Sequence, residues 1–259
     1  MAETRPDRTA ATAYARARFT ARPFLRCWAA LGLVVFLCAC QDAADEEYVA
    51  ALRGDEDGST SEERIAHLDR AIALEPARAQ YWESRAILRI DRRDFAAAEA
   101  DLDRAIALAE RPYLRFLRGL VRCQHGRCGE GVPDFDRAIA GQPDNSQFYR
   151  GRSLARVAVG RSAEALEDSA RLVQLAPQTG RSYYARGLAL AGLGRYAEAI
   201  RDFDEALRRT PELVYPLAAR ADAHEALGDD SSAAADRAAA ARKTRAGSAC
   251  EYCLDPFRY

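Results

Sequence analysis

The sequence predicts an all-α fold, an array of antiparallel helix pairs stacked side by side. The first observation is a period, because segments of similar sequence recur in steps of 34, 33, 34 and 34 residues. The second is amphipathicity, since each segment reads as two short helices joined by a tight turn. The stretch 180–211, GRSYYARGLALAGLGRYAEAIRDFDEALRRTP, shows the pattern best. The aligned segments end at Pro76, Glu110, Pro143, Pro177 and Pro211.

Glycine marks the turn between the two helices of most segments, because it accepts a positive φ without steric cost. In the second segment Arg93 stands at that place, and we expect strain in its turn. Small residues also recur where paired helices must approach closely. The turn glycines are Gly126, Gly160, Gly194 and Gly228. The small residues are Ala86, Gly119, Ser153, Gly187 and Ala221 on first helices, and Ala98, Gly131, Ala165, Ala199 and Ala233 on second helices.

The order of a small residue, an aromatic residue, alanine and proline resembles the tetratricopeptide repeat (TPR) family. Segment 180–211 carries it as Gly187, Ala199, Phe203, Ala206 and Pro211. The resemblance covers residues 45–246 and implies a right-handed superhelical solenoid of about six repeats, the first degenerate, whose first helices line a concave groove. We number the repeats 1 to 6 as 45–78, 79–111, 112–145, 146–179, 180–213 and 214–246.

Composition argues against several function classes. The chain has 38 Lys and Arg against 39 Asp and Glu, a net charge of −1, so there is no polyanion-binding footprint and no nucleic-acid partner is predicted. The sequence has no Ser-His-Asp order, phosphate loop or HExxH motif, and its three histidines lie in separate repeats. We therefore expect no enzyme, no cofactor, no resident metal and no small-molecule substrate.

The first 39 residues have the pattern of a secretion signal. Residues 1–26 are polar and carry arginine, and residues 27–40, CWAALGLVVFLCAC, are uncharged but short for a membrane span. Leu37, Cys38, Ala39 and Cys40 resemble the lipobox of bacterial lipoproteins, which implies that Cys40 is lipidated, for example with palmitate, and becomes the mature N-terminus. An uncleaved anchor and a buried helix are the alternatives. Gln41 after the cysteine favours the outer membrane over the inner, with the body facing the periplasm.

Two flanking segments complete the domain organisation. Residues 40–61 are acidic and small, and we expect a lipid-anchored linker that merges into the start of repeat 1. The last helix, predicted at 230–243, is rich in Ala and Arg, as the polar cap of an array must be. Residues 247–259 form a C-terminal tail.

One pair of columns carries charge in every repeat but the first. Each first-helix arginine lies 16 residues before a second-helix aspartate, and repeat 1 has Ala51 and His67 at these places. Their joint presence and absence predicts structural ion pairs, more within a repeat than between neighbours; two independent solvated stripes are the alternative. The pairs are Arg85 with Asp101, Arg118 with Asp134, Arg152 with Asp168, Arg186 with Asp202, and Arg220 with Asp236.

The groove is the predicted functional surface. Aromatic and arginine side chains most often anchor interfaces, and this mixture suits an extended peptide or helix with some acidic groups. Asp222 and Glu225 mark the C-terminal end, and we expect about half of the candidates to be accessible. The groove candidates are Tyr113, Phe116, Leu120, Arg150, Leu154, Arg181, Tyr184, Leu188 and Tyr215. The resulting hypothesis is a scaffold or adaptor that binds a protein or peptide partner.

Four of the seven cysteines remain once the signal is removed and Cys40 is assigned to a lipid. Cys123 and Cys128 flank the turn of repeat 3, and an even number of thiols outside the cytoplasm favours disulfides. A metal site from these two cysteines and His125 is an alternative, as is thiol-redox chemistry at Cys250 and Cys253, which have CxxC spacing. An envelope protein using these cysteines for redox or metal binding is the competing function.

Overall fold

The computed structural model describes residues 43–53 and 58–245, and this part of the chain consists of twelve α-helices and the turns between them. The helices alternate as first and second members of six antiparallel pairs. The first helices are α1 (43–52), α3 (Ala79–Asp91), α5 (Pro112–Gln124), α7 (Ser146–Ala158), α9 (Gly180–Gly192) and α11 (Tyr215–Ala226). The second helices are α2 (Ser61–Leu74), α4 (Phe95–Leu108), α6 (Cys128–Gly141), α8 (Ser162–Leu175), α10 (Tyr196–Arg209) and α12 (Asp230–Arg245).

The turn residues behave as the sequence predicts. All four turn glycines have φ between 73° and 80°, in the left-handed region. Arg93 has φ 61°, the only positive φ among the described non-glycine residues, so its turn is held in a conformation that an L side chain disfavours. The same tight connection therefore joins the helices of repeats 2 to 6.

Close approach of the two helices within a repeat explains the small residues. A Cβ added to Gly187 would lie 2.5 Å from the Phe203 ring, and one added to Gly119 would lie 2.9 Å from the Phe135 ring. These distances leave no room for a methyl group, so the aromatic ring of the second helix packs directly on the backbone of the first. The core is consequently a row of small clusters, each shared by adjacent helices, rather than one central mass.

The start of the array differs from the expected linker. Residues 43–52 form α1, a regular helix, so the first helix of repeat 1 is complete and includes acidic residues that were expected in the linker. Ala44, Tyr48 and Ala51 lie on one face of α1; Ala44 and Ala51 are fully buried, and Tyr48 packs against Tyr81. The Tyr81 hydroxyl also donates to Asp45 at 2.7 Å. The acidic residues thus occupy the outer face of an amphipathic helix, a pattern that total charge alone conceals.

The end of the array agrees with the expected cap. Helix α12 has only Ala233 and Asp236 buried, and its outer face is polar. None of the helices in the described residues is long and apolar enough to span a membrane. The secretion signal, Cys40 and the C-terminal tail lie outside the described residues.

Candidate partner-binding groove

The first helices form the inner side of the array. From repeat 3 onwards each first helix contacts the first helix of the next repeat, as α5 does with α7 and α7 with α9. The second helices of neighbouring repeats make no contact of comparable extent. An array whose first helices approach one another more closely than its second helices must curve towards the first helices, and this places the candidate groove on their surface.

Most of the predicted groove residues are buried. Of the nine, Tyr113 is exposed and Arg181 and Leu188 are half-buried. The other six are at least nine-tenths buried, so fewer than half are accessible and the prediction is wrong for the majority. The buried six are Phe116, Leu120, Arg150, Leu154, Tyr184 and Tyr215.

Contacts between neighbouring first helices explain this outcome. The Phe116 ring of α5 lies 5.0 Å from the Phe148 ring of α7. The Tyr184 ring of α9 lies 4.3 Å from the Tyr215 ring of α11. Burial raises the pKa of Tyr184, and its neighbour Tyr215 adds to the shift. These aromatic side chains therefore hold successive repeats together, and their truncation would test the fold rather than binding.

A cleft of about 310 Å³ lies among repeats 4, 5 and their neighbouring turns, and we call it the groove cleft. Arg150 lies in it with 4% of its surface exposed and donates from Nε to Gln147 at 3.0 Å. Arg181 supplies a second guanidinium, and Thr179, Ser182 and Thr210 supply hydroxyl groups. Two guanidinium groups among hydroxyl groups can bind a carboxylate through charge-assisted hydrogen bonds.

The sequence predicted the two arginines of the groove cleft but not its hydroxyl residues. Thr179 ends one repeat, Ser182 begins the next, and Thr210 ends that one. Thr179 and Ser182 hydroxyls lie 2.7 Å apart, and Thr210 accepts from the backbone of Gly180 at 3.0 Å. Hydroxyl residues just before or within the first turn of a first helix are the signal that could have identified them.

The five predicted arginine–aspartate pairs are all present, and we call them the ladder. In each, the arginine donates from Nε and Nη2 to the two carboxylate oxygens of the aspartate 16 residues later, at 2.5–2.9 Å. This bidentate geometry, with the aspartates at least nine-tenths buried, excludes independent solvated stripes. Burial lowers the pKa of Arg118, but the hydrogen bonds that its guanidinium donates to Asp134 and Asp103 outweigh this effect and raise the pKa overall.

The ladder also links neighbouring repeats, which the sequence reading did not predict. In four of the five repeats Nη1 of the ladder arginine donates to an aspartate of the preceding second helix, which we call the bridging aspartate. Arg118 donates to Asp103 at 2.6 Å, and Arg152 donates to Asp136 at 2.7 Å. The complete set of bridging aspartates is Asp69, Asp103, Asp136 and Asp204. The recurring Asp-x-Asp spacing in second helices was the available signal.

A second arginine reaches the ladder aspartate in repeats 2, 3 and 4. Arg89 donates to Asp101 at 2.7 Å, and Arg156 donates to Asp168 at 2.7 Å. Arg122 donates to Asp134 at 2.9 Å, and Asp134 also accepts from Arg115. The corresponding positions in repeats 5 and 6 are Leu190 and His224. These second arginines were not among the predicted site residues.

The cysteine pair of repeat 3 forms a disulfide. Cys123 ends the first helix and Cys128 begins the second, with their Cα atoms 4.0 Å apart. Because the two sulfur atoms are bonded to each other, they are not arranged as metal ligands beside His125. Cys250 and Cys253 lie outside the described residues, so their oxidation state stays a prediction.

Comparisons with known proteins agree with this architecture. Residues 116–180 and 180–213 match two family models, each described as tetratricopeptide repeat. No curated protein sequence matches the chain significantly. The chain therefore contains tetratricopeptide repeats within residues 116–213, part of the range that their residue pattern predicts.

Solved structures share the fold at low sequence identity. A tetratricopeptide repeat protein from Parabacteroides merdae has a TM-score of 0.70 and 15% identity, covering 78% of this chain and 80% of its own. PilW, a type IV pilus biogenesis factor, has a TM-score of 0.67 and 16% identity, covering 78% and 94%. YrrB, a TPR protein with an unusual peptide-binding site, has a TM-score of 0.57 and 17% identity, covering 66% and 88%. At these identities the likeness shows an all-α repeat array and no more.

Proposed function

We propose that this protein is a non-enzymatic adaptor that binds an extended, acidic segment of a partner protein in its concave groove. The observation that carries the proposal is the groove cleft, where Arg150 and Arg181 lie among hydroxyl groups near the N-terminal ends of the first helices α7 and α9. Tetratricopeptide arrays are interaction scaffolds, and the fold here is such an array. A peptide-binding site in YrrB supports the same class of partner.

The accessible side chains near the cleft suit a peptide rather than a small ligand. The cleft spans the boundary between repeats 4 and 5, so a bound chain would cross from α7 to α9. Arg181 would meet an acidic side chain, and Leu188, about two turns further along α9, would contact an apolar one. Arg150 is buried and preorganised, which reduces the side-chain entropy that binding would otherwise cost.

Peptide display against the purified protein tests the proposal. We expect enriched sequences with an Asp or Glu flanked by apolar residues. Arg181→Glu should weaken the selected peptides at least about tenfold, because it replaces attraction with repulsion at a contact worth about 1.4 kcal/mol or more. Arg137→Glu makes the same change on an exposed position of a second helix and should leave affinity within about twofold of wild type.

Two outcomes would contradict the groove proposal. One is that no peptide is enriched over an unrelated control protein. The other is that Arg181→Glu and Arg137→Glu have equal effects on the selected peptides. Truncating Tyr184 and Phe116 would not be informative, because removing buried aromatic rings costs about 3–5 kcal/mol of stability each.

We also propose that Cys40 anchors the protein to a bacterial envelope membrane through a lipid, with the outer membrane favoured by Gln41. Support comes from the sequence alone, in the apolar run that ends at Leu37, Cys38, Ala39 and Cys40. Metabolic labelling with palmitate should mark the wild-type protein and not Cys40→Ser, and globomycin should block processing of the wild type. Label that persists in Cys40→Ser would contradict the lipid site.

A further inference from the structure

The bridging contacts of the ladder are interrupted at one boundary. Bridging aspartates occupy the same position of repeats 1, 2, 3 and 5, two residues after the ladder aspartate where that aspartate exists. Repeat 4 has Ala170 at this position. The boundary between repeats 4 and 5 is thus the only one in the described array at which the ladder arginine has no bridging carboxylate from the preceding repeat.

Arg186 shows the consequence. Its side chain is 31% exposed, against 12%, 13%, 15% and 22% for the other four ladder arginines. Within residues 43–53 and 58–245 its hydrogen bonds go to Asp202 alone, through Nε and Nη2 at 2.7 Å each. Nη1, which reaches the bridging aspartate in the other four repeats, is therefore left towards the space beside Ala170.

A cleft of about 290 Å³ adjoins Arg186, and we call it the Arg186 cleft. It shares no lining residue with the groove cleft. Leu166 and Leu190 form its apolar part, and Arg195 and Arg201 add two further guanidinium groups. In repeats 2 to 4 a second arginine stands where Leu190 stands here, so the lining of this cleft lacks one charged side chain of the pattern.

The charges around this cleft leave positive potential for an incoming anion. Its two carboxylates are engaged already: Asp202 accepts both hydrogen bonds from Arg186, and Glu198 accepts from Arg195 at 2.6 and 2.7 Å. Arg201 is 70% exposed, and its nearest ion-pair partner, Glu198, is 4.0 Å away. Three guanidinium groups therefore face two carboxylates, and the surplus is positive.

We propose that the Arg186 cleft is a second docking site, which binds an aspartate or glutamate side chain of a partner protein. The partner's carboxylate would take the position of a bridging aspartate and accept from Nη1 of Arg186, while its methylene groups contact Leu166 and Leu190. The chain itself shows that this position accepts a carboxylate, since four other repeats place one there. An apolar floor beside a planar guanidinium favours a carboxylate side chain over a bare inorganic anion.

Filling the position from within the chain tests the proposal. Ala170→Asp supplies the missing bridging aspartate and should close the site. Ala238→Asp is the matched control, because it adds the same charge at the equivalent, exposed position of repeat 6, where the described chain has no following ladder arginine. All variants carry Arg181→Glu, so that the groove cleft does not contribute to binding.

The probe is a fluorescein-labelled hexaglutamate peptide, compared with hexaglutamine, and the readouts are fluorescence anisotropy and the nitrogen-15 NMR signal of Arg186 Nε. We expect saturable hexaglutamate binding that shifts the Arg186 signal, at least a tenfold loss with Ala170→Asp, and less than a twofold change with Ala238→Asp. Equal binding by both alanine variants, equal binding of hexaglutamine, or displacement by inorganic phosphate at the peptide's own concentration would each overturn the proposal.

Discussion

Repeats 2 to 4 and repeats 5 and 6 satisfy the same buried aspartate in different ways. In repeats 2 to 4 the ladder aspartate accepts from two or three arginines, as Asp134 does from Arg115, Arg118 and Arg122. In repeats 5 and 6, Asp202 and Asp236 each accept from one. The aspartates are slightly more exposed in the second group, at 7% and 6%, than in the first, at 2–3%.

The difference shows what a repeated ion pair contributes in an array. A buried carboxylate is costly unless its oxygen atoms are hydrogen-bonded, and one bidentate arginine meets that need. The second arginines therefore add positive charge and rigidity beyond the requirement of the aspartate, and the lining of the Arg186 cleft lacks one of them. In repeats 5 and 6 the aspartate keeps only its one bidentate arginine, and the rest of that arginine side chain is more exposed than in repeats 2 to 4.

Removing the ladder aspartate should give the largest difference in stability between repeats 2 to 4 and repeats 5 and 6. Asp134→Ala leaves three arginines without their shared carboxylate, and we expect a loss of about 3–5 kcal/mol in the free energy of unfolding. Asp202→Ala leaves one arginine that is already partly solvated, and we expect about 1.5–3 kcal/mol. Urea titration followed by circular dichroism measures both. Equal losses would mean that the second arginines do not distinguish the two regions.

The turn of repeat 2 reverses the comparison, because its backbone is strained whereas the turns of the C-terminal repeats are not. Arg93 has φ 61° where the other turns have glycine. Arg93→Gly should stabilise the protein by about 1 kcal/mol, since the left-handed conformation costs an L residue about 1–2 kcal/mol and glycine returns part of this through unfolded-state entropy. Gly160→Ala should destabilise by a similar amount. Thermal unfolding of the two variants checks these opposite signs, and a destabilising Arg93→Gly would contradict the strain.

Restoring the second arginine in repeat 6 would make the C-terminal region resemble the N-terminal one. His224 stands 12 residues before Asp236, the spacing that joins Arg89 to Asp101 and Arg156 to Asp168. His224→Arg should stabilise the protein by about 0.5–1 kcal/mol through one added charge-assisted hydrogen bond. The same urea titration measures it. His224→Gln, which adds no charge, should have no such effect.

Completing the bridge at the boundary between repeats 4 and 5 should have the smallest effect. Ala170→Asp should add about 0.2–1 kcal/mol of stability, because the other bridging aspartates are about half exposed and such pairs contribute little. Asp204→Ala should cost a similar amount at the next boundary. The gain should decrease with added salt, and a gain that is independent of salt would show that it does not arise from an ion pair.

The sequence predicted the ladder well and the groove poorly, and the reason is physical. Arg186 and Asp202 lie in one repeat, so a fixed separation of 16 residues determines whether they meet. Whether Tyr184 faces the groove depends on how closely α11 approaches α9, and the helical period of α9 carries no information on that distance. Contacts within a repeat were therefore predicted correctly, whereas the burial of side chains between neighbouring repeats was not.

Features assembled from more than one repeat could not be predicted from the sequence for the same reason. Thr179, Ser182 and Thr210 come together only because two repeat ends meet at one edge of the array. Ala170 is informative only once the bridging contacts of the other repeats are known. Helix α1 was expected only as the degenerate start of repeat 1, since its net acidity masked the apolar spacing of Ala44, Tyr48 and Ala51.

The sparse burial of the C-terminal helix α12 has a consequence for where unfolding begins. With two buried residues it contributes few apolar contacts beyond its ion pairs with α11, whereas the clusters around Phe135 and Phe203 each join several helices. In a linear array each repeat is held only by its neighbours, so fraying begins at the ends and moves inwards. Amide hydrogens of α12 should exchange before those of α5 to α9, and limited proteolysis should trim the C-terminal end while the central repeats persist.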